Sequence, residues 1–140
     1  MSGHQSAYFD FFFNVLSKDG GSIPDDARKI YAKAYSRPES LQAGFDWYRA
    51  FPEDAKVNAK WGGKPITVPV LYLRGAAEPG EIDDYVDGLR AAGLSNVVGD
   101  IIADSGHFVA DENPEALAIR LARFHREIGA ASSGPTWRQA

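Results

Sequence analysis

Nineteen carboxylates, six tyrosines and three histidines are among the groups in this chain able to exchange a proton in catalysis. There is no cysteine, which excludes thiol nucleophiles, disulfides and cysteine-ligated metals. Among the histidines, His107 alone has a context that would aim it. The stretch DSGHFVADENPEALAIRLARF, residues 104–124, closes an apolar run with a Ser-Gly turn and then presents the histidine. Glu112 follows five residues later, and Pro114 opens a helix. Gly106 lets the backbone turn tightly, so the imidazole leaves the carboxyl end of a strand, where open α/β sheets place their ligands. A neutral imidazole in that place is suited to general-base work if something within reach can be activated. The same position also suits a structural role, satisfying buried backbone groups. His4 and His125 lack such surroundings and read as surface residues. The histidines have no ligand spacing with one another, so no metal or other cofactor is expected.

Those residues need elements to carry them, and the chain changes character near WGGKP, residues 61–65. Before that point the period is helical. AYFDFFFNVLSK is apolar on nearly every side, which implies a packed helix buried by something else. GGSIPDDARKIYAKAYS supplies turn glycines, a proline at a helix start and acids in the first turn. Ile30 with Ala34, and Tyr31 with Tyr35, then form paired stripes. In SRPESLQAGFDWYRAF, Ser36 stands at an N-cap or just before one, Pro38 sits in the first turn, and Leu41, Phe45 and Tyr48 share a face.

Beyond WGGKP the period switches. ITVPVLYLRG reads as a strand buried on both faces, ended by Gly75. EIDDYVDGLRAAG is an amphipathic helix closed by Gly93, and NVVGDIIADSG is a second strand. NPEALAIRLARFHREIG is a helix capped by Asn113, with Leu117, Leu121, Phe124 and Ile128 in one stripe. Strand, helix, strand, helix with short connections predicts two parallel strands joined by a crossover. The fold class is therefore α/β in the second half, with a helical segment laid over it.

Composition narrows the partners. At 140 residues and 44% hydrophobic content the chain suffices for one cored domain. Its net charge of -4, with no basic stripe, argues against nucleic acid. The opening MSGHQSAYFDFFFNVLSKDGG has no basic leader and is interrupted by Asp10 and Asn14, so neither a signal peptide nor a membrane span is expected. The lack of cysteine fits a cytoplasmic setting.

SGHFVADENPEALAIRLARF resembles the C-terminal histidine loop and last helix of the α/β-hydrolase fold. VPVLYLRGAAEPG is similar to its penultimate core strand and following turn, and YAKAYSRPESLQAGFDWYRAF to the end of a helical cap. The ordered set resembles the epoxide hydrolase and haloalkane dehalogenase branch over most of residues 7–128. The resemblance implies a C-terminal half: residues 1–63 part of the cap, 64–129 the last two βα units, and 130–140 a flexible tail. It implies a general base at His107, activating water against an alkyl-enzyme ester. The orienting acid would follow the glycine that ends the strand by three residues, at Glu78, with Asp83 and Asp84 as alternatives. The ring-opening tyrosine would be Tyr48, although Tyr31, Tyr35 and Trp47 lie close in sequence and Tyr48 also reads as a cap-core aromatic.

The family's nucleophile sits on a small-x-nucleophile-x-small elbow. GHQSA, GFDWY and ADSGH each fail that pattern. The expectation is a hydrolase half acting on a small organic substrate, inactive alone and completed by a separate N-terminal half. Such a half would otherwise self-associate or fold marginally. The alternatives are a non-catalytic lid or interaction module, a truncated gene product, or a small enzyme working through His107, Glu78 and Tyr48 alone.

Overall fold

The computed structural model describes residues 3–60 and 64–132, leaving the side chains of 131 and 132 aside. Three helices come first: α1 (Gln5–Leu16), α2 (Asp25–Ala34) and α3 (Pro38–Ala59). Strand β1 (Val70–Gly75), helix α4 (Ile82–Ala91) and strand β2 (Val97–Ile102) follow, then the short α5 (Val109–Glu112) and α6 (Pro114–Ser132). The change of period at residues 61–65 thus separates helices from a βαβα unit, though 61–63 lie outside the described residues. Helix α6 runs three residues beyond 129, and the remainder of the expected tail, 133–140, is also outside the description.

The two strands pair in parallel, from Val70 opposite Val97 to Gly75 opposite Ile102. Their carboxyl ends therefore lie side by side. Helix α4 packs on one face of β2, close enough that a Cβ on Gly99 would fall 2.6 Å from Val86 Cγ2. Successive strand residues face opposite ways, so Asp100 turns to the other side, where Arg120 of α6 donates to it at 2.5 Å. Gly93, at φ +102, ends α4 as expected, and its amide donates to Arg90 O at 2.9 Å. Asn113 caps α6 by accepting from Ala116 N at 3.2 Å.

Val86 and Val97 are buried on the α4 side of β2 and Ile102 on its other side, while Phe13, Ile23 and Ala32 make a second core at α1 and α2. Arg28 ties that second core together. Its guanidinium donates to the carbonyls of Ile23 at 2.8 Å and Gly20 at 2.6 Å and pairs with Asp10 at 3.2 Å. The reading of β1 as buried on both faces is corrected: it is half-buried except at Arg74 and Gly75. The reason is that α4 and α6 both lie against β2, which leaves β1 thinly covered. In α1 only Phe13 is fully buried, while Phe11 and Val15 are exposed. Helix α3 continues past Pro52, which has no N–H to offer the carbonyl of Tyr48.

Candidate active site

Two loops leave the adjacent strand ends, and glycine allows them to touch. A Cβ on Gly75 would lie 2.1 Å from the carbonyl oxygen of Gly106 and 2.4 Å from that of Ser105. The loop after β1 is fastened to the one after β2 by Ala76 N to Ile102 O and Ala77 N to Ser105 O, both 3.0 Å. Ser105 is fully buried, its hydroxyl donating to Ile102 O at 2.9 Å. Asp104 takes a positive φ of 54° and pairs with Lys18 at 2.8 Å. That contact holds the Asp104 carboxyl below, and the Lys18 ammonium above, its ordinary pKa, the hydrogen bond being the larger cause in each.

His107 is held from two sides. Its amide donates to Leu16 O at the end of α1, 2.9 Å away. Gly106 passes so close to that segment that a Cβ would fall 2.5 Å from Leu16 O. Glu112, five residues on, accepts from Phe108 N at 3.0 Å and from Lys18 N at 2.7 Å. This carboxylate clamps the histidine loop to the turn after α1.

The imidazole Nδ1 lies 2.7 Å from Glu78 Oε1. Glu78 makes this contact, and Asp83 and Asp84 stand in the first turn of α4. An ionised carboxylate only accepts, so a neutral ring in this contact would carry its proton on Nδ1 and keep the Nε2 lone pair. Nε2 has no hydrogen-bond partner among the described residues. The other carboxylate oxygen, Oε2, faces Arg74 Nε at 3.6 Å. Arg74, which sequence reasoning missed, is only 4% exposed, against 21% for the Glu78 side chain and 55% for that of His107.

In front of His107 lies a cavity of about 370 Å³. Phe108 and Asp111 line it beside His107, and Phe9, Phe12 and Phe13 line it from α1. Tyr31 of α2, Tyr35 just after it, and Phe45, Trp47 and Tyr48 of α3 complete the aromatic wall. The volume suits a small organic molecule, and the lining is apolar with few polar groups. Tyr48 and His107 thus share one cavity, while Glu78 stands behind the imidazole. Tyr31, Tyr35 and Trp47 share it too. Tyr31 is engaged: its hydroxyl donates to Asp111 Oδ1 at 2.7 Å, which, with burial, raises its pKa. The Tyr48 hydroxyl has no such partner among the described residues, and the residue is 62% exposed. Asp111 is the one carboxylate in the described lining, and no described cluster of three or more His, Cys, Asp or Glu could hold a metal ion.

No family model matches the chain. It is 32% identical over 120 residues to Epoxide hydrolase A of Mycobacterium tuberculosis, covering 82% of this chain and 36% of that protein. An epoxide hydrolase of Caballeronia sordidicola is 26% identical over 136 residues, covering 94% of this chain and 41% of its own length. The crystal structure of Cfl2 from Burkholderia cenocepacia superposes with a TM-score of 0.72 at 30% identity, over 87% of this chain and 41% of that one. The chain therefore spans about two fifths of the proteins it matches. Histidine loop, parallel strand pair and aromatic helical cover coincide with these likenesses, and the chain belongs to the α/β-hydrolase family, of which it presents a C-terminal part.

Proposed function

We propose that this chain supplies the base, the orienting acid and the lid of a hydrolase site that opens epoxides or related small organic substrates. The attacking nucleophile, in this reading, belongs to polypeptide outside these 140 residues. The observation that carries it is the His107–Glu78 contact of 2.7 Å at a cavity that Tyr48 also lines. A carboxylate nucleophile attacks an epoxide carbon while Tyr48 donates to the ring oxygen, relieving the negative charge that develops there. The resulting ester is cleaved by water, whose proton passes to His107 Nε2 as the hydroxide adds to the ester carbon; the adduct then breaks its bond to the diol oxygen, which takes that proton back. Glu78 fixes the tautomer and stabilises the imidazolium that forms. The likeness to two proteins named epoxide hydrolases supports the substrate class, and the absence of cysteine accords with a cytoplasmic site of action.

The test is complementation. The chain is mixed with the portion of the Mycobacterium tuberculosis epoxide hydrolase that it does not match, and diol formation from styrene oxide is followed. Turnover is expected in the mixture and in neither part alone. His107→Ala is expected to leave one equivalent of ester trapped on the partner with no further diol. Diol production that continues unchanged in His107→Ala overturns the proposal.

A further inference from the structure

We propose that Arg74 is a positioning residue for the candidate site, fixing the loop after β1 so that Glu78 holds His107 as the Nδ1–H tautomer. The inference rests on the reading of His107 as a base. Arg74 is the penultimate residue of β1 and is almost wholly buried. A buried guanidinium is tolerated only when its donors and charge are matched. Here they are matched almost entirely by one short segment. Nη1 donates to Gly80 O at 3.0 Å, Nη2 donates to Pro79 O, and Nε faces Glu78 Oε2 at 3.6 Å. The guanidinium carbon lies over the ring of Tyr85, 4.5 Å from its centroid, and Tyr85 in turn stacks on Tyr72 at 5.6 Å.

The loop otherwise has few anchors. Its residues contribute no member of the buried hydrophobic core. Its backbone bonds to the second loop come from Ala76 and Ala77, ahead of the acid. After Glu78 the chain is Pro79 and Gly80, the latter at φ +93, and Arg74 grips the carbonyls of both. The glutamate is thus bridged, one oxygen toward Arg74 and the other toward Nδ1. Only the planar fork of arginine can reach two carbonyls and a carboxylate while stacking on a ring; a lysine ammonium cannot. Without that grip, the glutamate would be free to turn to water and the imidazole, itself half exposed, would lose the partner that sets its tautomer.

The experiment reads the His107 ring nitrogens by 15N NMR in the full chain, with His107→Gln to identify the signals. The wild type is expected to show the proton on Nδ1 in the neutral ring. Glu78→Ala gives the pattern of a ring without its partner. Arg74→Met, which keeps the stem, and Arg74→Lys, which keeps the charge, are both expected to match Glu78→Ala. Tyr85→Phe, which keeps the ring face, is expected to match wild type. Arg74→Lys also serves if Arg74→Met does not fold. Persistence of the wild-type Nδ1–H pattern in Arg74→Lys or in folded Arg74→Met overturns the inference, as does its absence from the wild type. The two readings fail separately. Epoxide turnover indifferent to His107→Ala removes the base while leaving the tautomer result to decide Arg74. Turnover lost in His107→Ala with a tautomer indifferent to Arg74 removes only the positioning role.

Discussion

Four aromatic residues compete for the role of acid toward an epoxide oxygen, and their side chains set two of them aside. Trp47 lines the cavity but lacks a hydroxyl, and the Tyr31 hydroxyl is committed to Asp111. In the proposed reaction Tyr48→Phe should lower turnover in the complemented enzyme by about 10²-fold, the usual size of a general-acid contribution. Tyr31→Phe should leave the rate within a few-fold and instead loosen the lid. Paired kcat measurements on the two variants decide this, and equal losses would count against Tyr48. The sequence separates these tyrosines poorly, because the partner of the Tyr31 hydroxyl comes from α5, far along the chain. His107 was more legible, since a Ser-Gly-His turn after an apolar run announces a strand end. Glu78 was offered only by the family resemblance, with Asp83 and Asp84 beside it, because the path of residues 76–81 depends on packing that no local signal carries. Arg74 drew no reading of its own from the sequence, and only its burial in the fold singles it out.

Among the elements, β2 carries the most, held by α4 through a glycine and by α6 through an ion pair. Gly99→Ala should destabilise the chain by about 1–3 kcal/mol, since the added methyl would collide with Val86 and Ile82. Denaturant titration checks it. Arg120, mostly buried, donates to Asp100 and so holds the Asp100 carboxyl below its ordinary pKa, the hydrogen bond outweighing the opposing effect of burial. A depressed folded-state value means the pair's contribution is complete above the unfolded pKa, about 3.9, and is lost as the pH falls through the folded one. Asp100→Asn should therefore cost about 1–2 kcal/mol at pH 7, discounted because the carboxylate is partly exposed, and the gap to wild type should close in acid. A gap that stays constant from pH 7 to pH 3 would place the effect elsewhere. Both strands, their parallel pairing and the caps of α4 and α6 were legible, because period and terminal residues are local signals. The thin cover of β1 and the passage of α3 through Pro52 were not, since both depend on what lies beside the chain rather than along it.

For the whole molecule, the exposed area is the telling quantity. The chain presents 10214 Å² to solvent, where a compact protein of 15.2 kDa would present roughly 7,000 Å². Helix α3 buries none of its residues, Trp47 and Val57 among those exposed, and β1 has one edge unpaired among the described residues. Open parallel edges and uncovered apolar faces favour association. In isolation the chain should elute in size-exclusion chromatography as a self-associated species or bind a hydrophobic dye, and the complementing part should suppress both. A monomer with a sharp, cooperative unfolding transition would argue that no companion is needed. No described helix is long and apolar enough to cross a membrane, so these faces do not amount to a helical span. The amide of His107 rests on the last carbonyl of α1. Displacing α1 would therefore break a contact that holds the histidine loop where its imidazole meets Glu78. A ligand that entered by displacing a helix would meet less resistance at α3, which among the described residues makes no such backbone bond to the histidine loop.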